Sequence, residues 1–150
     1  MIVFKRIPQG FSLIEILISL FIISIIALFS VQGISDFFEH RKQRVYMRQL
    51  YHDLKWARVE AIVLNTRITL ASNSSWCAGW EISSASQVLK HRDGIENCKI
   101  TFSGSLSATS FQFIADGSSN YQSGHFYFYD QEKITMKIII NPVGRVRWED

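Results

Sequence analysis

At 150 residues, 47% apolar and 13% aromatic, the chain can bury one core and no more, so one globular domain plus one membrane-active segment is the natural division. The net charge is +3, from 16 basic and 13 acidic residues, and so small an excess argues for no particular partner. The histidines and cysteines lack metal-ligand spacing, and the sequence holds no nucleophile-base pair, no carboxylate pair at useful spacing and no glycine-rich phosphate loop, so a metal, a cofactor and an enzymatic activity are not expected.

The first predicted element is the apolar run within KRIPQGFSLIEILISLFIISIIALFS, residues 5 to 30. Between Phe11 and Phe29 the only polar residues are Ser12, Glu15, Ser19 and Ser24, which leaves about the 20 residues that a helix needs to span a hydrocarbon core. A secretory signal peptide would carry a small-residue cleavage site after the run; none is present, and Pro8, Gln9 and Gly10 come before it. An ordinary membrane anchor accounts for the length but not for Glu15, since a lone carboxylate there costs about 2 to 3 kcal/mol. Cleavage after Gly10 would supply a partner. The new amino terminus at Phe11 would lie about one helical turn from Glu15, and in staggered parallel helices one subunit's carboxylate would meet its neighbour's ammonium inside an apolar core.

From Ser30 the pattern becomes amphipathic, and no proline intervenes before Pro142. Met47, Leu50, Leu54, Ala57, Ala61 and Leu64 alternate spacings of three and four, which places them on one stripe of a helix. A single helix from about Phe11 to Leu64 would be roughly 80 Å long at ~1.5 Å per residue, with Gly33 its weakest interior point. Arg41, Lys42, Arg44 and Arg48 form a basic cluster that suits an anionic patch or, more simply, a solvated face.

After Asn65 the periodicity shifts to alternation. RITLAS (67 to 72), GWEIS (79 to 83), QVLKH (87 to 91), KITFS (99 to 103), SFQFIA (110 to 115), HFYFYD (125 to 130) and KITMKIII (133 to 140) are expected strands, separated by Gly, Ser, Asn and Asp clusters and therefore antiparallel. Phe111, Phe113, Phe126 and Phe128 are expected in the core beneath the helix stripe, with Tyr127 and Tyr129 facing outward. Cys77 and Cys98 are simplest to explain as a disulfide, the alternative being two buried thiols.

The chain ends in INPVGRVRWED. Pro142 suits the first central position of a turn, and Gly144 suits a left-handed residue closing a hairpin loop. That register sets Asn141 opposite Arg145, Ile139 opposite Arg147, Ile140 opposite Val146 and Ile138 opposite Trp148. Arg145, Arg147 and, diagonally, Lys137 would share one face. Cations fixed beside a tight turn can contact successive phosphates of duplex DNA without reading sequence; charges on an edge hairpin also simply deter aggregation. Glu149 and Asp150 offset the field.

Two resemblances draw these elements together. Gly10 followed by FSLIEILISLFIISIIALFS resembles the type IV pilin and pseudopilin signature, in which a prepilin peptidase cuts after the glycine and methylates the new first residue, here Phe11. RQLYHDLKWARVEAIVLNTRITL, then CAGWEI, a second cysteine and a terminal GRVR, is similar to the GspH/FimT family of minor pilins and pseudopilins, with Ala57, Arg58, Glu60 and Ala61 matching its Ala-Arg-x-Glu-Ala helix end. The resemblance implies an α+β, type IV pilin-like fold, a long N-terminal helix packed on an antiparallel two-sheet β head. It also implies a leader over 1–10, a hydrophobic helix over 11–35 and a head over 36–150. The hydrophobic helix would cross the inner membrane first and lie in the fibre core later; the head would be periplasmic, then at the cell surface, with its helix ending near 64. Outside the inner membrane Cys77 and Cys98 can oxidise. Implied partners are the prepilin peptidase, other major and minor pilins and, because Gly144, Arg145 and Arg147 match the Gly-Arg-x-Arg motif of the DNA-binding FimT group, double-stranded DNA taken up in natural transformation. A structural subunit priming pilus assembly, as FimU-like proteins do, or a pseudopilin of type II secretion is the alternative.

Overall fold

A computed structural model of the chain describes residues 12–105, 109–130 and 133–149, and side chains outside 28–37 and 130. Gly10 and Phe11, the expected processing site, lie outside the described residues. The chain divides into two compact units, Met1–Glu39 and His40–Asp150.

In the first unit the helix α1 (Leu13–Val63) begins. The Ser12 carbonyl accepts the amide hydrogens of Glu15 at 3.0 Å and Ile16 at 3.3 Å. Glu15 lies in the first turn, where a carboxylate complements the positive end of the helix dipole. Ser19 donates to the Glu15 carbonyl at 2.8 Å and Ser24 to that of Leu20 at 2.7 Å, so both hydroxyls are satisfied within their own helix. The apolar side chains from Leu13 to Ile26 are exposed. Among the described residues no helix is long and apolar enough to cross a membrane; the expected span over 11–35 includes positions outside those described.

In the second unit α1 supplies the expected stripe. Met47, Leu50, Leu54, Ala57 and Ala61 are wholly buried. Leu64 is a correction: it is 45% exposed, because the helix stops at Val63 and the chain turns away. The stop has a local cause. Asn65 adopts φ 49°, Thr66 donates to the Ala61 carbonyl at 3.1 Å and Asn65 to that of Ile62 at 3.3 Å, the paired bonds of a Schellman cap.

Eight strands follow: β1 (Ile68–Asn73), β2 (Ser75–Ser84), β3 (Val88–Asp93), β4 (Ile100–Gly104), β5 (Ser110–Phe113), β6 (Gly124–Asp130), β7 (Lys133–Ile140) and β8 (Val146–Glu149). They form two four-stranded antiparallel sheets ordered β3-β2-β1-β5 and β4-β6-β7-β8. Each expected strand is present, although β2 starts four residues before the expected Gly79, at Ser75. Ser74 takes a left-handed φ of 72°, which closes a tight reversal after β1 and lets pairing resume at once, Asn73 against Ser75.

Among the described residues the buried core lies within this unit, running from Tyr46 to Ile140. Phe111, Phe113, Phe126 and Phe128 are buried as expected, and Trp76 stacks edge-on against Phe126 with centroids 4.8 Å apart. Tyr46 donates to the Trp76 carbonyl at 2.9 Å; burial, helped by the nearby Asp93 carboxylate, pushes its phenol up to about 12. Cys77 of β2 and Cys98, just before β4, form a disulfide, so the bridge joins the two sheets.

Candidate nucleic-acid interface

The β7–β8 hairpin has the register expected from sequence: Ile138 faces Trp148, Ile139 faces Arg147 and Ile140 faces Val146. Alternation sends Ile138, Ile140, Val146 and Trp148 toward the core and Ile139 and Arg147 outward. Trp148 anchors β8 to the helix, its ring 5.8 Å from that of Tyr51 in an edge-on contact. The turn is closed by Gly144 donating to the Asn141 carbonyl at 2.9 Å and by Asn141 donating to the Arg145 carbonyl at 3.2 Å. Asn141 adds a side-chain acceptor, Oδ1, for the Arg145 amide at 2.8 Å.

Gly144 meets two demands. Its φ is +75°, in the region costly for side-chain-bearing residues, and a Cβ there would stand 1.9 Å from the Gly117 carbonyl oxygen. Gly117 belongs to the β5–β6 loop, so the two loops touch backbone to backbone. Arg58, the arginine of the Ala-Arg-x-Glu-Ala helix end, binds this junction: its Nε donates to the Gly117 carbonyl at 2.9 Å and its Nη2 to that of Val143 at 3.4 Å. Ser119, fully buried, is a further tie. Its amide donates to the Pro142 carbonyl at 3.1 Å, and its Oγ lies 3.0 Å from the carbonyls of both Asn141 and Pro142. Helix, loop and hairpin turn therefore form one hydrogen-bonded block beneath the cations.

Arg145 and Arg147 are exposed, and among the described residues neither has an ion-pair partner. Lys137 is different. It lies directly opposite Glu149, with Nζ 3.8 Å from the carboxylate and 5.7 Å from the centroid of the Tyr127 ring. The structure thus brings the two arginines to the free end of the hairpin and gives the lysine's charge a local counter-ion.

A second charged cluster has no trace in the sequence pattern. Asp53, buried on α1, accepts hydrogen bonds from Trp80 Nε1 and Arg92 Nε, each at 3.0 Å, and from Lys90 Nζ. Burial raises this carboxyl's pKa, but the hydrogen bonds from Arg92, Lys90 and Trp80 outweigh it and hold the group below the ordinary carboxylate range. Lys90 also lies over the Trp56 ring, 5.2 Å from its centroid. The cluster secures the edge strand β3 to the helix. Among the described residues no group of three or more His, Cys, Asp or Glu side chains is placed to hold a metal ion.

Comparison with known proteins places this architecture. The family described as type II transport protein GspH matches residues 47–144. The chain belongs to the GspH family. The prokaryotic N-terminal methylation motif matches residues 5–31, which makes this GspH-family chain a minor pilin or pseudopilin, a structural subunit processed by a prepilin peptidase and assembled with other pilins. Two crystal structures of the type IV minor pilin FimU from Pseudomonas aeruginosa have the same fold. One aligns with a TM-score of 0.62 at 22% identity over 76% of this chain and 92% of that one. The other gives 0.59 at 20% identity over 71% and 92%. No curated protein matches the sequence.

Proposed function

We propose that this subunit is a minor type IV pilin that binds extracellular double-stranded DNA without sequence preference for uptake in natural transformation. The observation that carries the reading is the exposed Arg145–Arg147 pair on a turn bonded to helix and loop by Arg58, Ser119 and Gly144. The bonded turn fixes the backbone from which both side chains project, so their spacing is set before contact, and guanidinium forks suit phosphate oxygens. Lys137 contributes less, because Glu149 is its near neighbour. Affinity per subunit is accordingly weak and grows by avidity along a fibre.

The remaining assignments are supported by the N-terminal methylation motif and do not depend on DNA binding. A leader over residues 1–10 is removed after Gly10, Phe11 becomes the methylated amino terminus, and Glu15 pairs with that terminus in a neighbouring subunit to set the axial register. Residues 11–35 hold the subunit in the inner membrane with residues 36–150 in the periplasm until it enters the fibre at the cell surface. The likeness to FimU favours a second reading, a structural subunit that primes assembly, in which the hairpin meets other pilins; the family description equally suits a secretion pseudopilin.

The test is a gel mobility shift of a sequence-neutral duplex with the full chain in neutral detergent, repeated across a salt series. Replacing both arginines, Arg145→Gln and Arg147→Gln, is expected to abolish most of the shift and to reduce the slope of log affinity against log salt by roughly 2, about 0.9 per phosphate contact. An unchanged shift removes the DNA reading and leaves the structural one.

A further inference from the structure

Packing does not account for the tip of the β5–β6 loop. Residues Ser119 to Gln122 form a turn closed by the Gln122 amide donating to the Ser119 carbonyl at 2.8 Å. Both central residues have positive φ, Asn120 at 46° and Tyr121 at 61°. A turn of this hand favours Asn or Asp first and Gly second. Asn120 fits, but Tyr121 occupies the position that suits glycine, and a bulky residue there is an outlier. Such strain persists only where the surroundings overdetermine it. Here they do: Ser119 is fixed to Pro142 at one end, and at the other the buried Gln122 accepts the Gln112 amide on its Oε1 at 2.8 Å. The ring itself is 86% exposed, so burial offers nothing to offset the conformation.

The same ties couple this turn to the arginines. Ser119 Oγ reaches the Asn141 carbonyl at 3.0 Å, and Asn141 is paired through its backbone with Arg145. A free aromatic face and cations on adjoining, mutually bonded turns form the combination that holds single-stranded nucleic acid, with cations on the backbone and the ring against a base. Blunt duplex DNA keeps its base faces within the stack; single strands and frayed ends expose them.

We infer that Tyr121 is a stacking residue for an unpaired DNA base, so that the site engages single strands and frayed duplex ends more tightly than blunt duplex. The inference rests on the reading of Arg145 and Arg147 as phosphate contacts, and its test separates the two. The full chain in neutral detergent is titrated with a single strand and with a blunt, end-capped duplex of equal length, and its thermal unfolding is followed. The parent is expected to bind the single strand more tightly. Tyr121→Gly is expected to raise the melting temperature, because glycine suits this backbone, while weakening single-strand binding about tenfold and leaving duplex binding and its salt slope unchanged. Tyr121→Phe keeps the ring and is expected to bind as the parent does. Equal binding of both probes by the parent, or unweakened single-strand binding by Tyr121→Gly, overturns the stacking role and leaves the arginine reading intact. Parent-like binding of both probes by the double arginine variant overturns the arginine reading, whatever Tyr121→Gly does.

Discussion

Gly144→Ala is the most searching perturbation of the hairpin, because it strains the turn and the loop junction together. A left-handed backbone costs an alanine about 1 to 2 kcal/mol. The added Cβ would also stand 1.9 Å from the Gly117 carbonyl oxygen, so the loops must part by about 1.5 Å to restore an ordinary contact. That separation takes Gly117 away from the Arg58 Nε, now 2.9 Å distant, and a hydrogen bond to a charged donor contributes roughly 1.5 to 3 kcal/mol. The sum is about 2.5 to 5 kcal/mol, which for a domain of this size lowers the melting temperature by roughly 10 to 20 °C. Thermal denaturation followed by circular dichroism on the His40–Asp150 unit, which contains the whole described core, measures it. Gly144→Asn separates the causes, since asparagine tolerates the left-handed backbone but carries the same Cβ. It is expected to recover at most the backbone part, about 4 to 8 °C, and to melt well below the parent. A melting point for Gly144→Ala within about 2 °C of the parent would refute the reasoning; full recovery in Gly144→Asn would refute the close-approach half of it.

Two further outcomes test the head. Asp53→Asn is expected to destabilise it by about 2 kcal/mol at neutral pH, less than the 3 to 5 kcal/mol typical of a broken buried pair, because the Lys90 and Arg92 side chains are 31% and 37% exposed and keep access to water. The folded-state pKa of Asp53 is depressed, so its stabilisation is complete above the unfolded value of about 3.9 and is lost as pH falls through the folded one. Urea denaturation across that acid range is expected to show a shallower loss of stability in Asp53→Asn than in the parent, and parallel profiles would refute the assignment. Reducing the Cys77–Cys98 bridge, whose cysteines are 21 residues apart in sequence, is expected to cost roughly 3 kcal/mol in loop-closure entropy, visible as a lower melting temperature in dithiothreitol; an unchanged one would show that the bridge carries no stability.

The sequence was most informative where one period governs many residues. The stripe from Met47 to Ala61, the strands and the outward Tyr127 all follow from alternation or from spacings of three and four, because burial acts on every position of an amphipathic element at once. The hairpin register was legible for a related reason, since Pro142 and Gly144 fix the turn and pairing then propagates outward. Carrying that register one pair further would have set Lys137 opposite Glu149 as well. Asp53 was not legible, because its partners lie 37 and 39 residues away on another element and polar residues carry no period. The role of Arg58 was hidden likewise: the motif marked the residue, but the carbonyls it binds are 59 and 85 residues distant. Tyr121 left a fainter signal, an Asn followed by a residue other than glycine in a loop rich in turn formers.

The strand order has a mechanical consequence. Read along the chain, β1 to β3 build the first sheet, β4 belongs to the second, β5 returns to the first, and β6 to β8 complete the second. Neither layer is a continuous length of polypeptide, so stripping one away means extracting a strand from the middle of the other's sequence, and the cystine locks the earliest of these exchanges. A head woven in this way is expected to come apart as a whole, since tension or heat sufficient to loosen one layer strains the other with it.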